Sequence, residues 1–147
     1  MRAMRGVLVD TGLLVALHAR DDPLHASAVQ WLRSCDEPLH TVEPVLAETA
    51  FFLPARQRAA LAGLAADGVL QVHQPDATGH ARMAALMLKY ADLDPDWADI
   101  ALVWLAESSG LHRIATVDRS DFGTYRIHGR RHFELAWLAT SRQAPTA

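Results

Sequence analysis

Short apolar runs alternate along this chain with longer stretches that have helical periodicity. The apolar runs predict β-strands at residues 7–9, 39–42, 69–72 and 114–117. Strands that are separated by helices most simply assemble into a parallel sheet with right-handed crossovers and helices on both faces. We therefore predict an α/β fold, a three-layer α/β/α sandwich around a central, mostly parallel sheet.

Turn and cap residues indicate where the helices begin and end. We expect helices after the turn 10–12, from Pro23, from Pro44 with a break at Pro54 and an end at Ala66, over 76–90, and from Pro95 to a glycine cap at Gly110. Residues 125–127 are a candidate fifth strand. Residues 133–138 are expected either to extend the sheet or to pack as a closing helix, and the tail from Thr140 is expected to fray.

Size and charge restrict the class of protein. A chain of 147 residues, 50% hydrophobic and 21% charged, fits one globular domain. Its net charge of -3 is too small for coating nucleic acid by bulk charge, so any such contact requires a local patch. One cysteine, Cys35, excludes an internal disulfide and a multi-cysteine zinc site. We expect a cytoplasmic protein with no export signal and no membrane span.

Two aspartates directly follow predicted strands. Asp10 comes after residues 7–9, and Asp118 comes after residues 114–117. Ligands of a parallel sheet bind beyond the carboxyl ends of its strands, which is where both side chains should lie. Each aspartate also has a purely structural interpretation, Asp10 as a helix N-cap and Asp118 as a turn residue.

Glu48 is placed on a helix between Val45 and Phe52, which are apolar neighbours on the same face. A carboxylate on such a face requires a cation, a hydrogen-bond donor or a raised pKa, because burial without a partner costs several kcal/mol. The alternative is a position at the edge of the face, from which the carboxylate reaches solvent.

Asp96 and Asp99 lie three residues apart at the start of the most apolar helix. Negative charge is favoured at a helix N-terminus, which by itself could explain both residues. Asp99 lies one turn into the helix among Trp97, Ile100 and Val103, and this setting favours a role in a site.

Convergence of Asp10, Glu48, Asp99 and Asp118 would bring four carboxylates into a small volume. Their repulsion requires bound cations or shared protons. Magnesium and manganese prefer oxygen ligands, and either ion can activate water for phosphodiester cleavage. An all-carboxylate site therefore indicates metal-assisted phosphoryl-oxygen chemistry.

The ordered set of acidic motifs resembles the PIN-domain ribonucleases and, among them, the VapC-type toxins of toxin–antitoxin pairs. The resemblance covers nearly the whole chain. It rests on residues 7–17 with Asp10, residues 45–49 with Glu48, residues 98–102 with Asp99 and the preceding Asp96, and residues 116–122 with Asp118.

This resemblance implies a single PIN-like domain over residues 1–139, followed by a tail over 140–147. It also implies a Mg²⁺-dependent endoribonuclease, with Mn²⁺ as an alternative ion, that forms homodimers and binds an antitoxin encoded alongside. Carried over residue by residue, the acidic quartet consists of Asp10, Glu48, Asp99 and Asp118. Thr11 is then a hydrogen-bonding neighbour, and Asp96 and Asp121 are additional acidic candidates. The family often has asparagine at the fourth position, which leaves the contribution of Asp118 to metal binding open.

We hypothesise that Asp10 and Asp99 hold the principal Mg²⁺, while Glu48 and Asp118 complete the site or orient water. A metal-activated water would then cleave single-stranded or looped RNA. The candidate RNA contacts are arginines concentrated near the fourth motif: Arg113, Arg119, Arg126, Arg130 and Arg131. The alternative for these arginines is an ordinary exposed basic stretch.

Other functions fit the sequence less well. The phosphate-loop, nucleophile-elbow and dinucleotide-binding motifs are missing. An acid-pocket phosphatase would need a second aspartate two positions after Asp10, and His128 and His132 are separated by Gly129, which disfavours a zinc site on one helix face. The alternative from another class is a non-catalytic PIN-like module that binds RNA or protein.

Overall fold

A five-stranded, all-parallel sheet forms the centre of the protein. The computed structural model describes residues 4–137. Seven strands lie within these residues: β1 Val7–Val9, β2 Leu39–Val42, β3 Leu70–His73, β4 Arg113–Ala115, β5 Arg126–Ile127, β6 Arg131–His132 and β7 Glu134–Leu135. The order in the sheet is β3-β2-β1-β4-β7, and β5 and β6 form a separate antiparallel pair. The predicted fold class is confirmed.

Seven α-helices connect and flank the strands in the described residues. They are α1 Thr11–His18, α2 His25–Ser34, α3 Glu43–Phe51, α4 Ala55–Ala66, α5 Ala77–Lys89, α6 Trp97–Ser109 and α7 Arg119–Thr124, with a 3-10 turn at Ala91–Leu93. Aspartate side chains cap four of these helices by accepting a hydrogen bond from a backbone N–H of the first turn. Gly110 ends α6 in the left-handed conformation, as predicted.

The central strand β1 is fully buried, and it brings distant segments together. Leu8 pairs with His40 of β2 on one side and with Ile114 of β4 on the other. Helix α6 is buried along most of its length, in agreement with its apolar sequence. Strands β1 and β4 therefore end side by side, with the first turn of α6 in the core.

Three segments differ from the sequence prediction. Helix α1 begins at Thr11, directly after Asp10, without the intervening turn that was expected. Residues 119–124 form α7 rather than a turn, because the Asp118 side chain caps a first helical turn there. The predicted strand at 125–127 is present as β5, but it pairs with β6 outside the main sheet.

The two alternatives for residues 133–138 are resolved in favour of the sheet. Strand β7 lies parallel to β4 and forms an edge of the sheet. The tail predicted to fray from Thr140 lies outside the described residues. Among helices in the described part of the chain, none has the length and apolarity required to cross a membrane.

Candidate metal centre

A cavity of about 440 Å³ lies at the carboxyl ends of β1 and β4. Six carboxylate residues from five different segments line it: Asp10, Asp22, Glu48, Asp96, Asp99 and Asp118. The parallel pairing of β1 with β4 accounts for the convergence, because it places Asp10 and Asp118 at the same end of the sheet. All four members of the predicted quartet thus lie on one cavity.

Asp10 is held in one orientation by hydrogen bonds to both of its carboxylate oxygens. Its Oδ1 accepts from the Thr11 backbone N–H at 2.7 Å, and its Oδ2 accepts from the Thr116 hydroxyl at 2.7 Å. The residue is only 6% exposed. Burial raises its pKa from 3.8 to about 6, the two hydrogen bonds oppose the rise, and the charges of Asp96 and Glu48 add to it.

Asp99 is the carboxyl group with the more strongly raised pKa. It projects from the first turn of α6 and is 6% exposed. Burial raises its pKa to about 8, and the charges of Asp10, Asp96 and Asp118 contribute in the same direction. The Tyr125 hydroxyl donates to Asp99 Oδ2 at 3.3 Å and partly opposes the rise.

Carboxylate oxygens of Asp99, Asp118 and Asp121 lie within 4.8 Å of one another. Asp118 accepts a hydrogen bond from the Asp121 backbone N–H at 3.0 Å, which fixes the start of α7. Burial and the Asp118 side chain raise the pKa of Asp121. Asp121, an additional candidate in the sequence, thus lies in the tightest acidic cluster of the described residues.

Glu48 is at the cavity but is not buried as its apolar neighbours suggested. Glu48 is exposed, and Phe52, which follows the end of α3 at Phe51, is exposed as well, so this side of the last helical turn does not face the core. The alternative with the carboxylate reaching solvent is therefore the correct one. Its charge still acts on the site, since it raises the pKa of Asp10.

The remaining candidates, Asp96 and Thr11, lie at the N-terminal ends of α6 and α1. Asp96 Oδ1 accepts from the Asp99 backbone N–H at 2.8 Å, so Asp96 is an N-cap as well as a cavity residue. The Thr11 hydroxyl is buried at the cavity and, within residues 4–137, has no hydrogen-bond partner. An unpaired hydroxyl at this position is available to a ligand.

The five candidate arginines do not form one group. Arg113 forms ion pairs with Glu37 and Glu134 at the amino end of β4, opposite the end that leads to Asp118. The Arg126 guanidinium donates to three backbone carbonyls at the end of α7. Arg130 and Arg131 line a different cavity, so Arg119, exposed in the first turn of α7, is the arginine next to the acidic cluster.

Two residues that the sequence did not single out support the carboxylates. Thr116 contacts both Asp10 and the backbone N–H of Asp118, and Tyr125 contacts Asp99. Thr116 has a detectable signal, as a hydroxyl residue within an apolar strand motif that leads into Asp118. Tyr125 has none, because its contact depends on the fold of α7. Asp22, which also lines the cavity, was missed as well.

The chemistry of the donor set fits a hard divalent cation. Asp99, Asp118 and Asp121 offer carboxylate oxygens at a mutual spacing that one ion can span, and Thr11 adds an unpaired hydroxyl at the same cavity. Burial, together with the charges of neighbouring carboxylates, raises the pKa values of Asp10 and Asp99, so ionisation of both is costly without a positive charge nearby. A bound cation would remove that cost and favour ionised carboxylates.

Comparisons with known proteins agree with the observed fold. The PIN domain family model matches residues 7–126. The crystal structure of Mycobacterium tuberculosis VapC20, a toxin that cleaves the sarcin-ricin loop, superposes with a TM-score of 0.72 at 19% sequence identity, covering 78% of this chain and 91% of that chain. No curated protein sequence matches the chain.

Proposed function

Because the chain belongs to the PIN-domain family, we propose that it is a divalent-metal-dependent endoribonuclease. The observation that carries the proposal is the convergence of carboxylates at the ends of β1 and β4, where three of them lie within 4.8 Å of one another. Repulsion within this cluster makes a cation its natural partner, and no covalent nucleophile is required. Mg²⁺ is the proposed ion, and Mn²⁺ the alternative.

We propose that Asp99, Asp118 and Asp121 hold the cation together with Asp10. A divalent cation, when bound, lowers the pKa of water and stabilises negative charge on phosphoryl oxygens. Tyr125 positions Asp99 through its hydroxyl, and Thr116 positions Asp10. Glu48, exposed at the cavity, supplies a carboxylate that orients water.

The proposed substrate is single-stranded or looped RNA. Arg119 adjoins the acidic cluster and is placed to offset its repulsion of the phosphate backbone. VapC20 cleaves the sarcin-ricin loop, and the similarity of the two folds makes looped RNA the first substrate to test. Arg126 and Arg113 are engaged in contacts within the protein, so Arg119 is the arginine we propose for this role.

The proposed biological role is that of a toxin in a toxin–antitoxin pair, with a homodimer as the functional unit. The fold similarity to VapC20 supports this role, since the similarity extends over 91% of that toxin. A small upstream gene encoding a DNA-binding protein would identify the antitoxin. Without such a gene, a role in RNA processing would be favoured.

The test of the proposed activity combines RNA cleavage with metal binding. We expect Asp99→Asn and Asp10→Asn to lower kcat by about 100-fold or more, because each removes a carboxylate from the site. Chelation should abolish cleavage, and Mg²⁺ or Mn²⁺ should restore it. Calorimetric titration with Mn²⁺ provides a second readout, in which Asp99→Asn should bind more weakly than the wild type.

Asp67→Asn is the matched control, since Asp67 is an exposed aspartate at the end of α4 that does not line the cavity. It should retain full activity. Full activity of Asp99→Asn would refute the site assignment. RNA binding without cleavage in either metal would instead favour the non-catalytic binding module.

A further inference from the structure

Apolar side chains line part of the cavity that holds the carboxylates. Val15, Leu24, Phe52 and Val117 form this surface, which we call the apolar wall. A hard cation is bound by oxygen atoms, so the apolar wall does not contribute to cation binding. The cavity, at about 440 Å³, is within the range of pockets that bind small organic groups. Space beside the metal centre is therefore suited to a second, apolar part of the ligand.

Phe52 is the most prominent member of the apolar wall. Its side chain is 61% exposed, and Val117 is 43% exposed, so large apolar groups face solvent next to an acidic cluster. The backbone of Phe52 is well anchored, because its N–H donates to the Thr49 carbonyl at the end of α3. Phe52 thus presents an aromatic ring to the cavity from an ordered position of the backbone.

The occupant of the cavity must combine two kinds of chemistry. It needs an anionic group that reaches the cation and a flat or apolar group that reaches Phe52. A nucleotide has both, since its phosphate binds the cation and its base stacks on an aromatic ring. An apolar peptide side chain would contact only the apolar wall and would supply no anionic group for the acidic part of the cavity.

We propose that the apolar wall is a nucleobase subsite, in which Phe52 stacks on the base of a nucleotide next to the scissile phosphate. This inference rests on the proposed ribonuclease function and names a further part of its substrate site. A base can reach Phe52 only when it has left a helical stack, so the subsite selects unpaired nucleotides. Stacking uses the face of the base, and the subsite therefore tolerates different bases.

The test compares Phe52→Ala with Phe51→Ala on an oligoribonucleotide that the wild type cleaves. Phe51 is the matched control, because it is adjacent, 84% exposed and in edge-to-face contact with Phe52 at 5.5 Å, yet it does not line the cavity. We expect Phe52→Ala to raise KM about tenfold with little change in kcat, as loss of one stacked base predicts. Phe51→Ala should behave as the wild type, and Phe52→Tyr should retain a low KM.

Abasic oligoribonucleotides identify the group that Phe52 contacts. One lacks the base on the 5′ side of the mapped cut and another lacks it on the 3′ side. For the wild type, one of the two should raise KM about tenfold, and Phe52→Ala should show no further loss on that oligoribonucleotide. A loss that persists unchanged on both abasic oligoribonucleotides would overturn the proposal.

A binding measurement separates this inference from the proposed function. A 2-aminopurine oligoribonucleotide is titrated with Asp99→Asn and with the double variant Asp99→Asn/Phe52→Ala. Quenching of 2-aminopurine by the first variant, with about tenfold weaker binding to the second, supports the subsite even if the wild type cleaves no RNA. Equal binding by both variants would overturn it.

Discussion

A single hydroxyl group connects two of the site's carboxylate segments. Thr116 Oγ1 donates to Asp10 Oδ2 at 2.7 Å and accepts from the Asp118 backbone N–H at 2.9 Å. The side chain is buried, so water cannot replace either hydrogen bond without a rearrangement. Thr116 therefore keeps the end of β1 and the start of α7 in a fixed relation.

Thr116→Val should impair both stability and cleavage. Valine has nearly the same shape but removes the hydrogen-bond partner of Asp10 Oδ2 and of the Asp118 N–H, at a cost of about 1–3 kcal/mol for an unsatisfied group. The change should also raise the pKa of Asp10 further, because the lost hydrogen bond lowers it. We expect kcat to fall by about tenfold or more, measured as RNA cleavage beside thermal denaturation.

The control for this experiment is Thr41→Val. Thr41 is also a buried strand threonine, but its hydroxyl donates to the Val9 carbonyl at 2.7 Å and not to a carboxylate. This variant should lose stability while keeping kcat. Equal losses of kcat in the two variants would mean that Thr116 acts only through folding.

Position along the chain was sufficient to locate the acidic residues, but it did not reveal their surroundings. Asp10 and Asp118 follow strands, and parallel strands end together, which places both at one cavity. The exposure of Glu48 was not predicted, because the sequence pattern treated Phe52 as part of the same buried helical face. Phe52 lies beyond the end of α3. Tyr125 escaped notice because its contact with Asp99 spans two elements whose packing the sequence pattern does not specify.

At the level of elements, the first turn of α1 packs closely against the segment that follows β4. A Cβ atom at Gly12 would lie 2.5 Å from Val117 Cγ2 and 3.0 Å from Val117 Cγ1. Glycine thus permits a contact that any larger residue would disturb. The contact borders the cavity on one side, since both residues line it.

Gly12→Ala should destabilise the protein through this contact. Overpacking of this kind costs about 1–3 kcal/mol, which exceeds the roughly 1 kcal/mol that alanine gains over glycine in a helix. Val117→Ala removes both methyl groups, so the double variant Gly12→Ala/Val117→Ala should recover most of the lost stability. Urea denaturation of the two single variants and the double variant measures this coupling, and purely additive effects would contradict it.

Elements with strong periodicity could be predicted, whereas helix α7 and the pairing of β5 could not. Helices α5 and α6 lie within a residue or two of their expected limits. Helix α7 has six residues, and its sequence Arg-Ser-Asp-Phe-Gly-Thr has no apolar repeat, so only its aspartate cap indicates a helix. Strand β5 has two residues, and pairing with β6 could not be distinguished from pairing with the main sheet.

For the molecule as a whole, the acidic cluster makes stability depend on pH and on any cation that it binds. Asp99 has a pKa of about 8 in the folded chain, against an ordinary value near 3.8. The folded protein therefore binds this proton more tightly than the unfolded chain does. Without metal, the stabilising contribution is fully present below pH 3.8 and is lost as the pH rises through about 8.

Thermal denaturation with and without Mg²⁺ tests this connection. The Tm of the metal-free protein should fall between pH 5 and pH 8, and Mg²⁺ should raise the Tm at pH 8 by roughly 3–8 °C, with a smaller effect at pH 5. Asp99→Asn should flatten the pH dependence, and KCl at matched ionic strength should not reproduce the effect of Mg²⁺. A Tm that rises with pH in the metal-free protein would contradict the assignment.

The position of β1 between β2 and β4 also determines when the carboxylate cluster can assemble during synthesis. Asp10 leaves the ribosome early, but the strand that orders its neighbourhood is β4, and Asp118 and Asp121 follow β4 near the C-terminal end of the described residues. Chains emerge and begin to fold from their N-terminus. A nascent chain therefore carries an incomplete carboxylate cluster through most of translation, and the cluster can form only when nearly all of the described residues have been made.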